Sequence, residues 1–446
     1  MLWRNLCLVR AITASGLLTC SMLGASAAGE PREPIPGDDA QTETVKVLDA
    51  EKAGDLAVVV RGQGQDRVRL SLKNNSARRL NIVLPPGLVA SSSAGQAGGP
   101  GGGGGFQSMG LGAATNRSGG FGQFAGAAGE AGFRSVAPSD SNGVIVPAGQ
   151  KVDLEIPAVC LNFGMPTPTS KDHFRLVEVE DFTKDVRVHK ALKALATLGT
   201  SHGTAQAAMW RVCNDVPFEQ MIANSGKAVN QAEVALAARF LQALDQSADS
   251  VDPAYLTEAR LFLTINGEGD LAREAKRLSG EIEGLRLLGL PARISPAGVE
   301  PKASAPAVHL GVTLVSGPAG ETRARVVVQS STGIQDAVWS PLGQVSFVEG
   351  SAPSAIDAAS MARAIDHAVG SAFVTAKVSR RSTTSTTLRI ENRLPFTVAN
   401  LTVKAGQSSG APLVTIPALG VGPGRAGLAT IPASGGSIDR VELNGL

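Results

Sequence analysis

"DRVRLSLKNNSARRLNIVLPPG", residues 66–87, is the stretch on which the fold turns. Its first half has period two: Val68, Leu70 and Leu72 fall on one side of an extended chain, and Arg67, Arg69, Ser71 and Lys73 on the other. That is the pattern of a half-buried strand. "NNSARR" then supplies turn residues and "LNIVL" resumes the extended run. Pro85-Pro86-Gly87 ends it, because proline cannot donate to a ladder. The same order of strand, asparagine turn and strand returns in "TTLRIENRLPFTVANLTVKAG", after which "VTIPALGVGPGRAGLATIPASGGSIDRVELNGL" reads as strands separated by Pro and Gly.

This arrangement resembles the exported immunoglobulin-like modules of bacterial surface proteins, and the resemblance implies β-sandwiches. Residues 44–160 are expected to form an N-terminal β-sandwich, in which "GVIVPAGQKVDLEIP" returns to alternation and ends beside Cys160. A Gly-, Ser- and Ala-rich insertion at 91–142, beginning "SSSAGQAGGPGGGGGF", interrupts it. Such a composition cannot offset its ordering entropy by burial, and no Gly-Lys-Ser/Thr follows to make a phosphate loop. Residues 161–290 are expected to be mainly helical. "DVRVHKALKALATLG" spaces Val188, Leu192 and Leu195 on one face and ends at Gly199, and "AEVALAARFLQAL" does the same with Leu236, Phe240 and Leu244. A Pro/Ala-rich linker at 291–307, a mixed β/α module at 308–380 and a C-terminal immunoglobulin-like module at 381–446 complete the expectation. The fold class is therefore read as multidomain α+β, with immunoglobulin-like β-sandwich modules flanking a helical domain.

Residues 1–28 read as a secretory signal: Arg4 and Arg10 flank the start, an apolar run covers Ala11 to Leu23, and "ASAA" offers a cleavage site. Cleavage leaves roughly 418 of the 446 residues and places the protein in the periplasm, on the cell surface or outside the cell. A lipidated Cys20 in "LLTC" is an alternative start, with Thr19 a poor residue before it. No apolar run is long enough for a transmembrane span. A net charge of +2 with scattered basic residues gives no footprint for nucleic acid. The five histidines lack metal spacing such as HExxH, so neither metal nor cofactor is expected.

Two of the four cysteines, Cys160 and Cys213, lie in the mature chain, and in an oxidising compartment a disulfide between them is one expectation. "GTAQAAMWRVCND", residues 203–215, sets up a rival. A helix capped by Thr204 puts Gln206, Trp210 and Cys213 on one face, with Cys213 about 10 Å beyond Gln206. Within it, "AQAAMW" resembles the glutamine motif of bacterial thioester domains, and "VCLNFGMPTP" resembles their upstream cysteine segment. The resemblance implies a thioester between Cys160 and Gln206, shielded by Trp210 and Met209. An amine or hydroxyl of a protein or cell-surface partner would open it, in a single covalent event without turnover. A cysteine hydrolase would need a base, for which His173 or His202 is available, but no nucleophile signature surrounds Cys160. The acidic run from Glu178 to Asp181 reads as a solvated strand end. Function is thus expected to be cell-envelope or extracellular interaction, with covalent chemistry at Cys160 and Gln206, or else structural with a Cys160–Cys213 staple; neither is an enzyme.

Overall fold

The strand beginning at Arg67 forms as read, between the strand just before it and one that ends at Cys160. The computed structural model describes residues 42–92, 107–112, 143–225, 228–333, 338–348, 356–383, 385–406, 411–416, 419–432 and 436–446. They belong to one compact unit, Gln41–Leu446. The signal reading at 1–28 and most of the Gly-rich insertion lie outside the described residues. Strand outweighs helix, 40% against 27%, so the α+β class stands with β dominant.

The N-terminal part runs β1 (Glu43–Lys46), α1 (Val47–Lys52), β2 (Leu56–Gly62), β3 (Arg67–Asn74), β4 (Leu80–Val83), β5 (Leu88–Ser91), β6 (Met109–Leu111), β7 (Val144–Val146), β8 (Lys151–Cys160) and β9 (His173–Glu178). Where two sheets were expected, six of these close into a barrel in the order β2-β3-β8-β6-β5-β9, and β1, β4 and β7 form a small sheet beside it. The physical reason lies in two strands. β8 is ten residues long, so it pairs with β3 through its first part and with β6 through its last. β9 pairs with both β5 and β2 and removes the open edges. The module therefore extends to Glu178, past the expected boundary at 160. β6 comes from inside the Gly-rich segment and buries Met109 completely. Val68, Leu70, Leu72, Leu154 and Ile156 fill the interior, as their alternation predicts.

The helical part follows as α2 (Val179–Phe182), α3 (Val186–Leu198), α4 (His202–Asn214), α5 (Phe218–Ser225), α6 (Gln231–Gln246) and α7 (Pro253–Thr257). Asp185 caps α3 by accepting from the Arg187 N–H, and Gly199 closes it at φ 67°. Ser201, not Thr204, caps α4, and Asn230 with Glu233 makes a capping box on α6. Ala205, Ala207 and Ala208 on α4 are fully buried, so small side chains let the helix lie deep in its apolar cluster with α3 and α6.

The remaining elements are β10 (Leu261–Gly267), α8 (Leu271–Ile282), β11 (Arg286–Leu287), β12 (Leu290–Ile294), β13 (Ala307–Ser316), β14 (Thr322–Ser331), β15 (Ser340–Val348), α9 (Ala358–Phe373), β16 (Val374–Arg381), β17 (Ser385–Asn392), β18 (Val398–Lys404), β19 (Leu413–Ile416), β20 (Ala426–Pro432) and β21 (Ser437–Leu443). A six-stranded sheet has the order β11-β12-β10-β13-β14-β15, with β10 parallel to β12 and β13. The expected helical domain thus contains β10, whose mostly apolar Leu261–Ile265 is buried as parallel strands require. The expected linker begins with β12, and its Ala303, Ala305 and Ala307 are buried. Two three-stranded sheets, β16-β17-β20 and β19-β18-β21, share one core with the six-stranded sheet and α9.

The echo seen in the sequence is also an echo of hydrogen bonds. Buried Asn74 donates from Nδ2 to the carbonyls of Arg78 (2.7 Å) and Val146 (3.0 Å) and accepts from the Ser76 N–H (2.9 Å). Buried Asn392 donates to Phe396 (2.7 Å) and Val421 (2.9 Å) and accepts from the Leu394 N–H (2.9 Å). Strand registers agree as well: Lys73 faces Lys151 and Arg67 faces Pro157, while Glu391 faces Ala426 and Ser385 faces Pro432. Leu80 pairs with Val146 and Val398 with Val421, each six residues past its asparagine.

Candidate functional site

β8 carries Cys160 to the rim of the barrel, where β3 has run out. The Ala158 N–H is still served by the Asp66 carbonyl (2.9 Å), just ahead of the first residue of β3. Two residues on, a side chain takes over. Gln206, 1% exposed on α4, accepts from the Cys160 N–H through Oε1 (2.8 Å) and donates through Nε2 to the Cys160 carbonyl (2.8 Å). One carboxamide therefore acts as the next rung of the ladder and bolts the central helix to the barrel. Both groups would otherwise be unpaired and buried.

The Cys160 side chain faces the barrel interior and donates from Sγ to the Gln65 carbonyl at 3.5 Å. Burial, helped by the Asp66 charge, pushes its thiol up to about 12, so it is neutral at physiological pH. A neutral thiol is a poor nucleophile. Cys213 is partly exposed near the end of α4, and burial with the Asp185 charge also pushes it up to about 12. Both cysteines are free. The fold thus brings Cys160 to Gln206 and leaves the expected Cys160–Cys213 staple unformed, because the strand end docks at Gln206, about two helical turns before Cys213. Met209 is fully buried and Trp210 is 7% exposed, packed edge-on against Phe163 with ring centroids 5.0 Å apart. The Trp210 indole N–H has no hydrogen-bond partner among the described residues. For a thioester to form, Cys160 Sγ would have to leave Gln65 and Gln206 would have to give up both backbone bonds.

The two bases available to a hydrolase do not converge. His173 opens β9 and is exposed, whereas His202 is buried in the first turn of α4. The run from Glu178 to Asp181 is divided between the end of β9 and the short α2. No group of three or more His, Cys, Asp or Glu able to hold a metal occurs among the described residues. No described helix is long and apolar enough to cross a membrane.

Two other clusters escaped sequence reasoning. Thr264, His309 and Gln329 form a chain across β10, β13 and β14, with Thr264 Oγ1 to His309 Nε2 at 2.9 Å and His309 Nδ1 to Gln329 Oε1 at 3.1 Å. Burial lowers the His309 pKa and keeps the ring neutral, and Trp339 roofs it with ring centroids 5.6 Å apart. Thr264 is 6% exposed, so the chain is a covered cross-strand ladder. The alternation in "VHLGVTL" was the signal that could have placed His309 on the outer face. The second cluster is a tight turn, Leu288-Gly289, between β11 and β12, with φ of 52° and 81°. Its Leu288 N–H is held by the Asp366 carboxylate, which burial pushes up to about 6. No periodicity marks so short a turn.

The chain was compared with protein-family models, with curated proteins and with solved structures, and none of the three comparisons finds a match.

Proposed function

We propose that this is an exported cell-envelope or extracellular interaction protein that works without catalytic turnover, and that Gln206 is its internal clamp. The observation that carries this reading is the reciprocal 2.8 Å pairing of the Gln206 carboxamide with the Cys160 backbone, with the thiol turned into the barrel. Both residue types are fully used by structure. A neutral, buried thiol and a carboxamide with both ends occupied support a scaffold, not a warhead. The C-terminal part is read as immunoglobulin-like, and its two antiparallel sheets around one core support that reading.

A second reading keeps the covalent chemistry, and one observation favours it: the fold brings Gln206 to Cys160 across 46 residues, with Met209 and Trp210 one turn further on. In that reading Cys160 Sγ bonds to the Gln206 carbonyl carbon, ammonia leaves, and an amine or hydroxyl of a partner later displaces the thiol. Intact-mass measurement of the mature protein separates the readings. The clamp predicts an unmodified mass and two titratable thiols after unfolding. Loss of one ammonia, absent in Cys160→Ala, would establish the thioester instead, and loss of two hydrogens reversed by reductant would establish the disulfide.

A further inference from the structure

The repeated unit shows what one copy has and the other lacks. In the N-terminal copy, Val60 of β2 lies opposite Leu70, four residues before Asn74. In the C-terminal copy, Val378 of β16 lies opposite Leu388, four residues before Asn392. Arg61 and Arg380 match in the same way, facing Arg69 and Thr387, each five residues before its asparagine. The outer edge of β2 is covered by β9, which pairs antiparallel through Val60 with Phe174 and Arg61 with His173, and Val60 is 2% exposed. No described strand pairs with the outer edge of β16, and Val378 is 42% exposed.

The free edge is also charged. Lys377, Arg380 and Arg381 are exposed around Val378, and neither arginine makes an ion pair among the described residues. Basic residues and a bulge, here between Val378 and Arg380, discourage an edge from pairing with another of its kind. Two copies of β16 would bring like charges together, whereas an acidic strand would neutralise them. The strand seated on the equivalent edge, β9, pairs there through His173 and Phe174, and carboxylates flank it in "DHFRLVEVED": Asp172 just before it, Glu178 at its end, and Glu180 and Asp181 just after it.

We propose that the free edge of β16 takes an acidic extended segment of a partner protein as an added antiparallel strand. Backbone bonds to β16 would supply affinity, Val378 would receive the partner's inward apolar residues, and Lys377, Arg380 and Arg381 would select its acidic ones. The proposal deepens the interaction reading by naming the partner's chemistry. It fails independently of the clamp, which the intact mass tests.

The test uses a fluorescein-labelled peptide of sequence DHFRLVEVED and the full mature chain. Anisotropy is expected to show saturable binding, weakened at least about tenfold by the double variant R380E/R381E, whose exposed sites leave the melting curve in place. Amide hydrogen exchange in residues 374–381 is expected to slow when the peptide is present. Any of three results would overturn the proposal: no saturable binding, equal binding by a scrambled peptide that has lost the apolar alternation, or binding without slowed exchange at 374–381. Slowing by anionic phosphatidylglycerol vesicles but not by the peptide would overturn it in favour of a membrane surface.

Discussion

At Asn74 a carboxamide at the end of β3, in a barrel that closes on itself, ties a turn to Val146 of the neighbouring small sheet; at Asn392 an equivalent set of bonds at the end of β17 ties a turn to Val421, in a sheet whose β16 edge no described strand covers. The corner is the same and the surroundings differ. Closure therefore does not come from the corner. It comes from β9, which the chain supplies beside the first copy; beside the second it supplies the helical part, and no described strand covers β16. The residue whose carbonyl accepts from each asparagine N–H makes the difference concrete. In the first copy it is Gln150, exposed; in the second it is Arg425, whose guanidinium reaches Glu233 on α6.

Arg425→Ala is expected to be the most disruptive change. It leaves the Glu233 carboxylate, 1% exposed, without its bidentate partner at 2.7 and 3.1 Å. Such losses cost about 3–5 kcal/mol, and denaturant unfolding measures them. Gln150→Ala at the matching position should stay within about 0.5 kcal/mol. Equal losses at the two positions would break the contrast. Next in size come the asparagines themselves: Asn74→Ala and Asn392→Ala should each cost about 2–3 kcal/mol, because each leaves buried backbone groups unpaired. A silent variant at one corner would show that the copies do not share the device.

Gln206→Leu should cost about 2 kcal/mol by stranding the Cys160 N–H and carbonyl, while leaving both cysteines as free thiols. Alkylation kinetics of native protein would sharpen this result, since a clamp variant should expose Cys160 to reagent and wild type should not. The smallest effect belongs to Asp366. Burial holds its pKa near 6, above the ordinary 3.8, so the folded chain keeps a proton that the unfolded chain releases. Its contribution is complete below about 3.8 and is lost as pH rises through about 6. Asp366→Asn, which can still accept from the Leu288 N–H, should raise stability at pH 7 by about 1 kcal/mol and change nothing below pH 4. A gain that persists in acid would point to packing instead.

Much of this was written in short-range pattern. Alternation marked β3 and β8, helical spacing marked α3 and α6, and the asparagine echo was visible in the letters alone. What could not be seen was pairing between distant elements. β6 hides in a Gly-rich run because three residues are too few to show a period, and β9 is followed at once by helix, so nothing at that point suggests it closes a barrel. β10 sits between helices and its apolar run reads either way. A meeting of Cys160 with Gln206 was implied by the resemblance to thioester domains, beside the rival pairing with Cys213. That the carboxamide would engage the backbone and not the sulfur depends on where β3 ends, and a linear pattern does not carry that.

Several latches join residues roughly two hundred positions apart. Asn444 donates to the Gly199 carbonyl, the Ser201 N–H donates to Thr397 Oγ1 at 3.3 Å, and Arg425 grips Glu233. Contacts of such span are slow to form, because a long loop must close before any bond rewards it. The helices can therefore assemble early while the N-terminal turn of α4 waits for its cover. During that interval Glu233 sits without its counter-charge, and an intermediate with a settled helical core and an unsealed flank is the species expected to dominate refolding and to need protection from aggregation.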